Sequence, residues 1–312
     1  QRYEPQWRNI VHGSYKGYTI ASMPPPSSGG IALIQTLNIL ELKDLHQYGH
    51  NSADYIQLIS EALKFTYADR SIHLGDSDFS EVPIEQLTSK IYAKKLASKI
   101  SLNDVINVET LGNSFNLQEE SSDTTHFVVA DKYGNVVSNT YTLNFSFGNG
   151  ILIPKLGFLL NNEMDDFSAK PGVPNAYGLI GNEKNSIEPE KRMLSSMTPT
   201  IVFKNNKPFL VTGSPGGSRI ITTVLQVILN TIDHEMNIAE ATLAPRFHHQ
   251  WKPDLIRLEK GISLDTQHLL TNKGYSLKTM SNMGSSQSII LMNGHFYGYS
   301  DTRKQDALCL GF

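Results

Sequence analysis

An α+β fold of antiparallel sheets covered by helices is predicted by three features of the chain. The first third carries apolar residues at helical spacing, and the remainder carries short apolar runs separated by turn dipeptides. One strongly apolar helix, marked by Ile220, Ile221, Val224, Leu225, Ile228 and Leu229, interrupts those runs directly after the loop Gly213-Ser214-Pro215-Gly216-Gly217.

The elements follow in order. A hairpin spans Ser14 to Ser22 and turns at Lys16-Gly17, and Pro24-Pro25-Pro26-Ser27-Ser28-Gly29-Gly30 breaks it and leads into a helix. That helix places Leu33, Ile34, Leu37 and Leu40 on one face. Ser52 is a suitable N-cap for a second helix with Ile56, Ile59, Leu63 and Tyr67 inward, and a third starts near Pro83 with Ile84, Leu87 and Ile91. Between about Ser101 and Ser122 Asn, Ser, Asp and Glu dominate, and an exposed, mobile connection is expected. Strands prevail from His126: Phe127–Ala130 and Val136–Leu143 flank a turn, Ile201–Phe203 and Phe209–Val211 flank Asn205-Asn206, and Ile289–Leu291 and Phe296-Tyr297 flank Asn293-Gly294. A further helix starts at Asn237, with Glu240 in capping-box position.

Composition narrows the class. The 312 residues allow two domains or one large layered domain, and 39% apolar with 18% charged residues excludes a disordered chain. A formal charge of -3 gives no electrostatic footprint for nucleic acid. The single Cys309 cannot form an internal disulfide, a CxxC pair or a thiolate zinc site; in the run Ala307–Leu310 it is expected to be a packed core thiol. No apolar stretch approaches the ~18 residues of a membrane span. Gln1-Arg2-Tyr3-Glu4-Pro5 contains neither an initiator Met nor a signal peptide, so a processed product or fragment is expected.

Several stretches can carry chemistry. Thr124, in Asp123-Thr124-Thr125-His126, stands where a polar connection meets a strand; a threonine hydroxyl is a weak nucleophile, but its own α-amino group, once freed, can serve as the base. A plain β-forming Thr pair is the competing interpretation. The glycines of 213–217 can aim free N–H groups at an oxyanion, or can simply form a turn; a Walker phosphate cradle is excluded because Ser218-Arg219 follows where the lysine is required. Glu163, Asp165 and Asp166 can bind a cation or a substrate ammonium, or form a solvated acidic loop. Ser195-Ser196 offers two hydroxyls or an ordinary turn, and His248-His249 lacks any accompanying zinc pattern.

Thr124-Thr125-His126, Leu159 to Phe167, Leu194-Ser195-Ser196-Met197 and Gly213 to Ile220 occur in the order found in γ-glutamyltransferases. Met23–Gly30 and Ala244–His248 also resemble that family, of the bacterial type, and the resemblance runs along the whole chain. It implies a four-layer αββα sandwich of the N-terminal-nucleophile hydrolase type, incomplete at its N-terminal side, and a precursor that cuts itself before a nucleophilic threonine. Residues 1–123 would be the C-terminal portion of a large subunit and 124–312 the small catalytic subunit, associated as a heterodimer.

The resemblance assigns Thr124 as nucleophile and Thr142 as its supporting hydroxyl. Asn144, Glu163 and Asp166 would hold the substrate α-amino group, and Ser195 and Ser196 its α-carboxylate. Gly216 and Gly217 would form the oxyanion hole, and Tyr177 would be the lid aromatic. The implied substrates are glutathione and glutamine, with water, amino acids or peptides as acceptors, no metal or organic cofactor, no nucleic acid, and a periplasmic or secreted location. An acylase or poly-γ-glutamate transpeptidase of the same fold, or an inactive scaffold that never cleaves itself, are the alternatives. Met193 stands where the family commonly has proline, which predicts a slightly less rigid serine loop. The resemblance implies that the family's carboxylate-clamping arginine would fall in a segment upstream of Gln1, and no arginine of this chain takes that role from its sequence position.

Overall fold

Lys16 and Gly17 both adopt positive φ, as do Asn205-Asn206 and Asn293-Gly294. That is what a two-residue hairpin turn needs to match the twist of its strands. In the computed structural model, which describes residues 3–112 and 124–311, the first of these turns joins β1 (Val11–Tyr15) to β2 (Tyr18–Ser22). After β2 come α1 (Gly29–Leu40), α2 (Ala53–His73), α3 (Ile84–Leu87) and α4 (Lys90–Ala97). The hairpin β3 (Thr125–Ala130) to β4 (Val136–Tyr141) follows, then the short pair β5 (Leu152–Ile153) and β6 (Phe158–Leu159). Next are β7 (Thr200–Lys204), β8 (Lys207–Gly213), α5 (Ile220–Ile232) and α6 (Ile238–Leu243). The chain closes with β9 (Phe247–His248), β10 (Ile256–Glu259), α7 (Leu264–Asn272), β11 (Leu277–Met280), β12 (Gln287–Met292) and β13 (His295–Ser300).

The main sheet runs β1-β2-β7-β8-β12-β13, every neighbour antiparallel. Its register lines up Ile20, Val202, Leu210 and Ile290 across four strands, and all four are buried. Cross-strand rows of this kind fix register, because a one-residue slip would turn the row to the other face. Helices α1 and α5 pack together with α2 in one core. The β3–β4 hairpin lies against β8 and β12, where Ser138 Oγ donates to Thr212 O at 2.9 Å. A Cβ at Gly213 would stand 2.1 Å from the His126 ring, so the layers meet closely there. The outer face of the hairpin shows Phe127, Val129, Val137 and Tyr141 to solvent.

Helix starts match their caps. Ser52 Oγ accepts from Tyr55 N, and Asn237 with Glu240 forms a complete capping box. Three expectations are corrected. The helix near Pro83 is two helices, because Ser89 caps a new start at Lys90 and leaves Ile91 exposed. Cys309 is exposed: the terminal stretch runs along the surface, and apolar neighbours in sequence do not bury it. Of the supposed mobile connection, 101–112 is pinned: Gln57 Nε2 donates to Ser101 O and Asp104 O, Glu61 accepts from Ile106 N, and Lys64 donates to Ile106 O. Residues 113–122 lie outside the described residues. A β10–α7–β11 unit with parallel strands was not anticipated.

Candidate active site

Thr124 stands directly before β3 and is buried, and its hydroxyl donates to Thr142 Oγ1 at 3.2 Å. Thr142 Oγ1 accepts in turn from Asn144 N at 2.8 Å. The chain can close this turn because Asn144 adopts φ +73°, in a left-handed region that Asn tolerates better than most side chains. Asn144 Nδ2 donates to Asn162 O, which ties the end of the β3–β4 hairpin to the acidic turn.

That turn is a single 3₁₀ segment, Glu163–Asp166, whose three-residue repeat sets Glu163 and Asp166 on one side. Burial pushes the Glu163 carboxyl up to about 7. Asp166 is also pushed up to about 7, first by burial and then by the charge of Glu163, with Arg70 opposing. Among the described residues, no hydrogen-bond donor satisfies the Asp166 carboxylate. Asp165 turns away and accepts from Ala176 N.

The serine pair is held from behind. Ser195 N donates to Pro26 O, Ser28 N donates to Ser195 O at 2.8 Å, and Ser27 Oγ donates to Met197 O at 2.7 Å. Residues 26–28 and 195–197 thus run as a short parallel bridge. A Cβ on Gly29 would stand 2.5 Å from Met197 O and one on Gly30 2.3 Å from Met23 O, which explains the glycine pair after the prolines. Ser195 Oγ accepts from Met197 N, and Ser196 Oγ accepts from Arg70 Nη2. Each hydroxyl therefore has an acceptor lone pair engaged, and neither proton has a protein acceptor among the described residues.

Gly216 and Gly217 adopt φ +137° and +56° and open a 3₁₀ turn into α5. Their N–H groups have no acceptor among the described residues, and Tyr67 Oη donates to Ser218 O at 2.5 Å, fastening the loop. Tyr177 covers it: a Cβ on Gly217 would meet the tyrosine ring at 2.4 Å. Tyr177 Oη donates to Asn144 O at 2.7 Å, its carbonyl accepts from Gln250 Nε2, and Asn175 Oδ1 holds the N–H groups of Tyr177 and Leu179. Thr124, Thr142, Asn144, Asp166, Tyr177, Ser195, Ser196 and Gly217 line one cavity of about 20 Å³, on the scale of a single water.

The sequence profile described as Gamma-glutamyltranspeptidase matches residues 1–310. The chain belongs to that family. The glutathione hydrolase proenzyme of Escherichia coli (strain K12) is 54% identical over 311 residues, 99% of this chain and 54% of the relative. The chain spans about half the length of the curated relatives it matches. A mutant gamma-glutamyltranspeptidase from Helicobacter pylori superposes with a TM-score of 0.57 at 59% identity, covering 58% of this chain and 100% of that one. Cephalosporin acylase from Bacillus halodurans superposes with a TM-score of 0.82 at 25% identity, covering 98% of this chain and 53% of that one. The N-terminal-nucleophile hydrolase fold of the gamma-glutamyltranspeptidases is therefore the fold of this chain.

Every residue that the family resemblance singled out falls around Thr124 except Glu163 and Gly216, which border the cavity through their neighbours Asp166 and Gly217. Sequence reasoning missed Arg70, Ser28 and Gln250. Arg70 was detectable, because it continues the inward stripe Ile56, Ile59, Leu63, Tyr67 at helical spacing, and a charged residue on a buried stripe asks for a partner. Neighbouring His248 and His249 diverge, the first to Thr222 and Gln250 and the second to Asp254 and Trp251 N, and burial lowers the pKa of both. Arg246, in the other family-like stretch, is buried against Asp301.

Proposed function

We propose that this chain is the catalytic part of a gamma-glutamyl transfer enzyme that acts on glutathione or glutamine and passes the glutamyl group to water or an amino acid or peptide. One observation carries the substrate assignment: an unpaired, half-buried carboxylate and two hydroxyls preset as donors share one cavity with a threonine hydroxyl. An ammonium seeks the first, a carboxylate the second, and an amide the third.

Activation begins with self-cleavage. Thr124 Oγ1 attacks the carbonyl carbon of Asp123, the acyl group shifts from nitrogen to oxygen, and water hydrolyses the ester to leave a free Thr124 amine. Asp123 lies outside the described residues. The pieces, 1–123 and 124–312, remain associated, because β2 pairs with β7 across the cut. In turnover Thr124 Oγ1 adds to the γ-carbonyl while its proton passes to the freed α-amine, a base suited to neutral pH at about 7.7–8.0. The oxyanion takes the N–H groups of Gly216 and Gly217, supported by their lack of other acceptors. Collapse expels the amine with the proton from the α-ammonium, and an acceptor amine or water reverses the sequence on the γ-glutamyl ester. Glu163 and Asn144 flank the ammonium site, Thr142 orients the nucleophile, and Tyr177 swings aside to admit a glutamyl group, for which the closed cavity is too small. These steps call on no metal or organic cofactor.

An acylase for side chains without an amino acid end is the second reading, suggested by the overlap with cephalosporin acylase. It leaves Asp166 and the serine pair without work. No helix among the described residues is long and apolar enough to cross a membrane, and a periplasmic or secreted placement belongs to this proposal. Turnover of γ-glutamyl-p-nitroanilide, with and without a dipeptide acceptor, tests it. Hydrolysis of glutaryl amides in preference to γ-glutamyl amides would select the acylase.

A further inference from the structure

Arg70 is 4% exposed, yet it forms no ion pair among the described residues. A buried guanidinium without a carboxylate partner is costly, so its surroundings call for a reason. Its Nε donates to Ser28 Oγ at 2.9 Å, and Ser28 Oγ donates onward to Ser195 O at 2.7 Å. Its Nη2 donates to Ser196 Oγ at 3.2 Å. One side chain on α2 therefore grips both members of the serine pair, the first through its backbone and the second through its hydroxyl.

A hydroxyl carries one proton and two lone pairs. With Arg70 occupying a lone pair of Ser196, the proton is turned away from the guanidinium, and the cavity beside Thr124 is the space it faces. A donor polarised by a cation makes a stronger bond to an anion than a neutral hydroxyl does. Charge points the same way. Arg70 and Asp166 line an adjoining cavity together, where the cation draws the Asp166 carboxyl downward against the push of Glu163. A zwitterionic amino acid end has its carboxylate on the arginine side and its ammonium on the acidic side, so the cation completes a matching field.

We propose that Arg70 is a positioning residue for the carboxylate end of the substrate, acting through Ser196 and Ser28 without touching the ligand itself. It turns the Ser196 proton into the cavity, holds the serine loop against residues 26–28, and supplies positive charge that the hydroxyls lack. This rests on the reading of Ser195 and Ser196 as the carboxylate pair.

The test compares γ-glutamyl-p-nitroanilide with 4-aminobutyryl-p-nitroanilide, which keeps the ammonium and the amide and lacks only the α-carboxylate. Arg70→Lys keeps the charge but cannot reach Ser28 and Ser196 together. It is expected to raise KM for the glutamyl anilide roughly ten- to hundredfold with kcat changed less than about threefold, and to leave the 4-aminobutyryl anilide within about threefold. Ser28→Ala, which frees the other end of the guanidinium, should move the same ratio in the same direction and decides the matter if the Arg70 variant does not fold. Equal losses on both substrates, or no loss, would make Arg70 a structural residue and overturn the proposal. Ser196→Ala separates the two levels. If it abolishes discrimination while Arg70→Lys and Ser28→Ala preserve it, the serine pair stands and the role of Arg70 falls. If Ser196→Ala and Ser195→Ala both preserve discrimination, the serine reading falls and takes this proposal with it.

Discussion

Replacing Asp166 by Asn probes the proposed ammonium site with little change of shape. In the free protein Asp166 and Glu163 are both pushed up to about 7, by burial first and, for Asp166, by the neighbouring charge next. An arriving ammonium reverses the balance: it favours the ionised Asp166, so binding near neutral pH expels a proton. A charge-assisted hydrogen bond of this kind contributes about 1.5–3 kcal/mol, so Asp166→Asn should raise KM for γ-glutamyl-p-nitroanilide roughly ten- to hundredfold. The wild-type 1/KM should fall as pH drops below about 7, because the carboxylate must then first lose a proton; the Asn variant should lack the Asp166 part of that limb. Stability should move the other way. A carboxyl whose folded pKa is raised contributes stability that is fully present below its unfolded pKa and is lost as pH rises through about 7. Wild type should therefore melt lower at pH 8 than at pH 6, and the Asn variant should match or exceed it at pH 8. Steady-state kinetics from pH 5.5 to 8.5 and calorimetry read both effects. An unchanged KM, an unchanged acid limb, or activity lost only in proportion to folded protein would refute the assignment.

Thr124→Ala should leave one uncut band, whereas the parent chain yields pieces of 123 and 312 − 123 = 189 residues; Edman sequencing that finds any N-terminus other than Thr124 would count against the proposed cut. Gly217→Ala should lower kcat by about a hundredfold or more, since the added carbon meets the Tyr177 ring at 2.4 Å and sits at φ +56°; a kcat near the parent value would remove the glycine loop from the mechanism. Cys309 should react with Ellman's reagent in the native protein within minutes, and protection until unfolding would contradict its exposed position. Trp251→Ala should loosen the end of the 101–112 segment, because Trp251 Nε1 donates to Val108 O at 3.0 Å and its ring packs on Gly112; limited proteolysis should then cut there faster than in the parent.

Local chemistry already determines much of this protein. Three two-residue turns at Lys16-Gly17, Asn205-Asn206 and Asn293-Gly294 specify hairpins because so few residues tolerate the positive φ they require. Ser52 and Asn237 specify helix starts because their side chains satisfy N–H groups within a few residues of themselves. The ordered motifs around Thr124, Glu163, Ser195 and Gly216 were legible for the same reason: each is short and contiguous, and its residue types suit one kind of partner. Tertiary structure decided what depends on distant segments meeting. The bridge between residues 26–28 and 195–197, the Arg70 guanidinium behind the serines and the closing of Tyr177 over Gly217 join residues tens to more than a hundred positions apart. No periodicity encodes such contacts. Exposure of Cys309 and the hydrogen bonds that hold 101–112 to α2 escaped sequence reasoning for a related reason, since both are set by which distant segments pack or bond there rather than by the polarity of the segment itself. Residue type and spacing name the chemistry a side chain can perform; the fold decides which side chains perform it together, because hydrogen bonds and charges act over a few ångströms of space and are indifferent to separation along the chain.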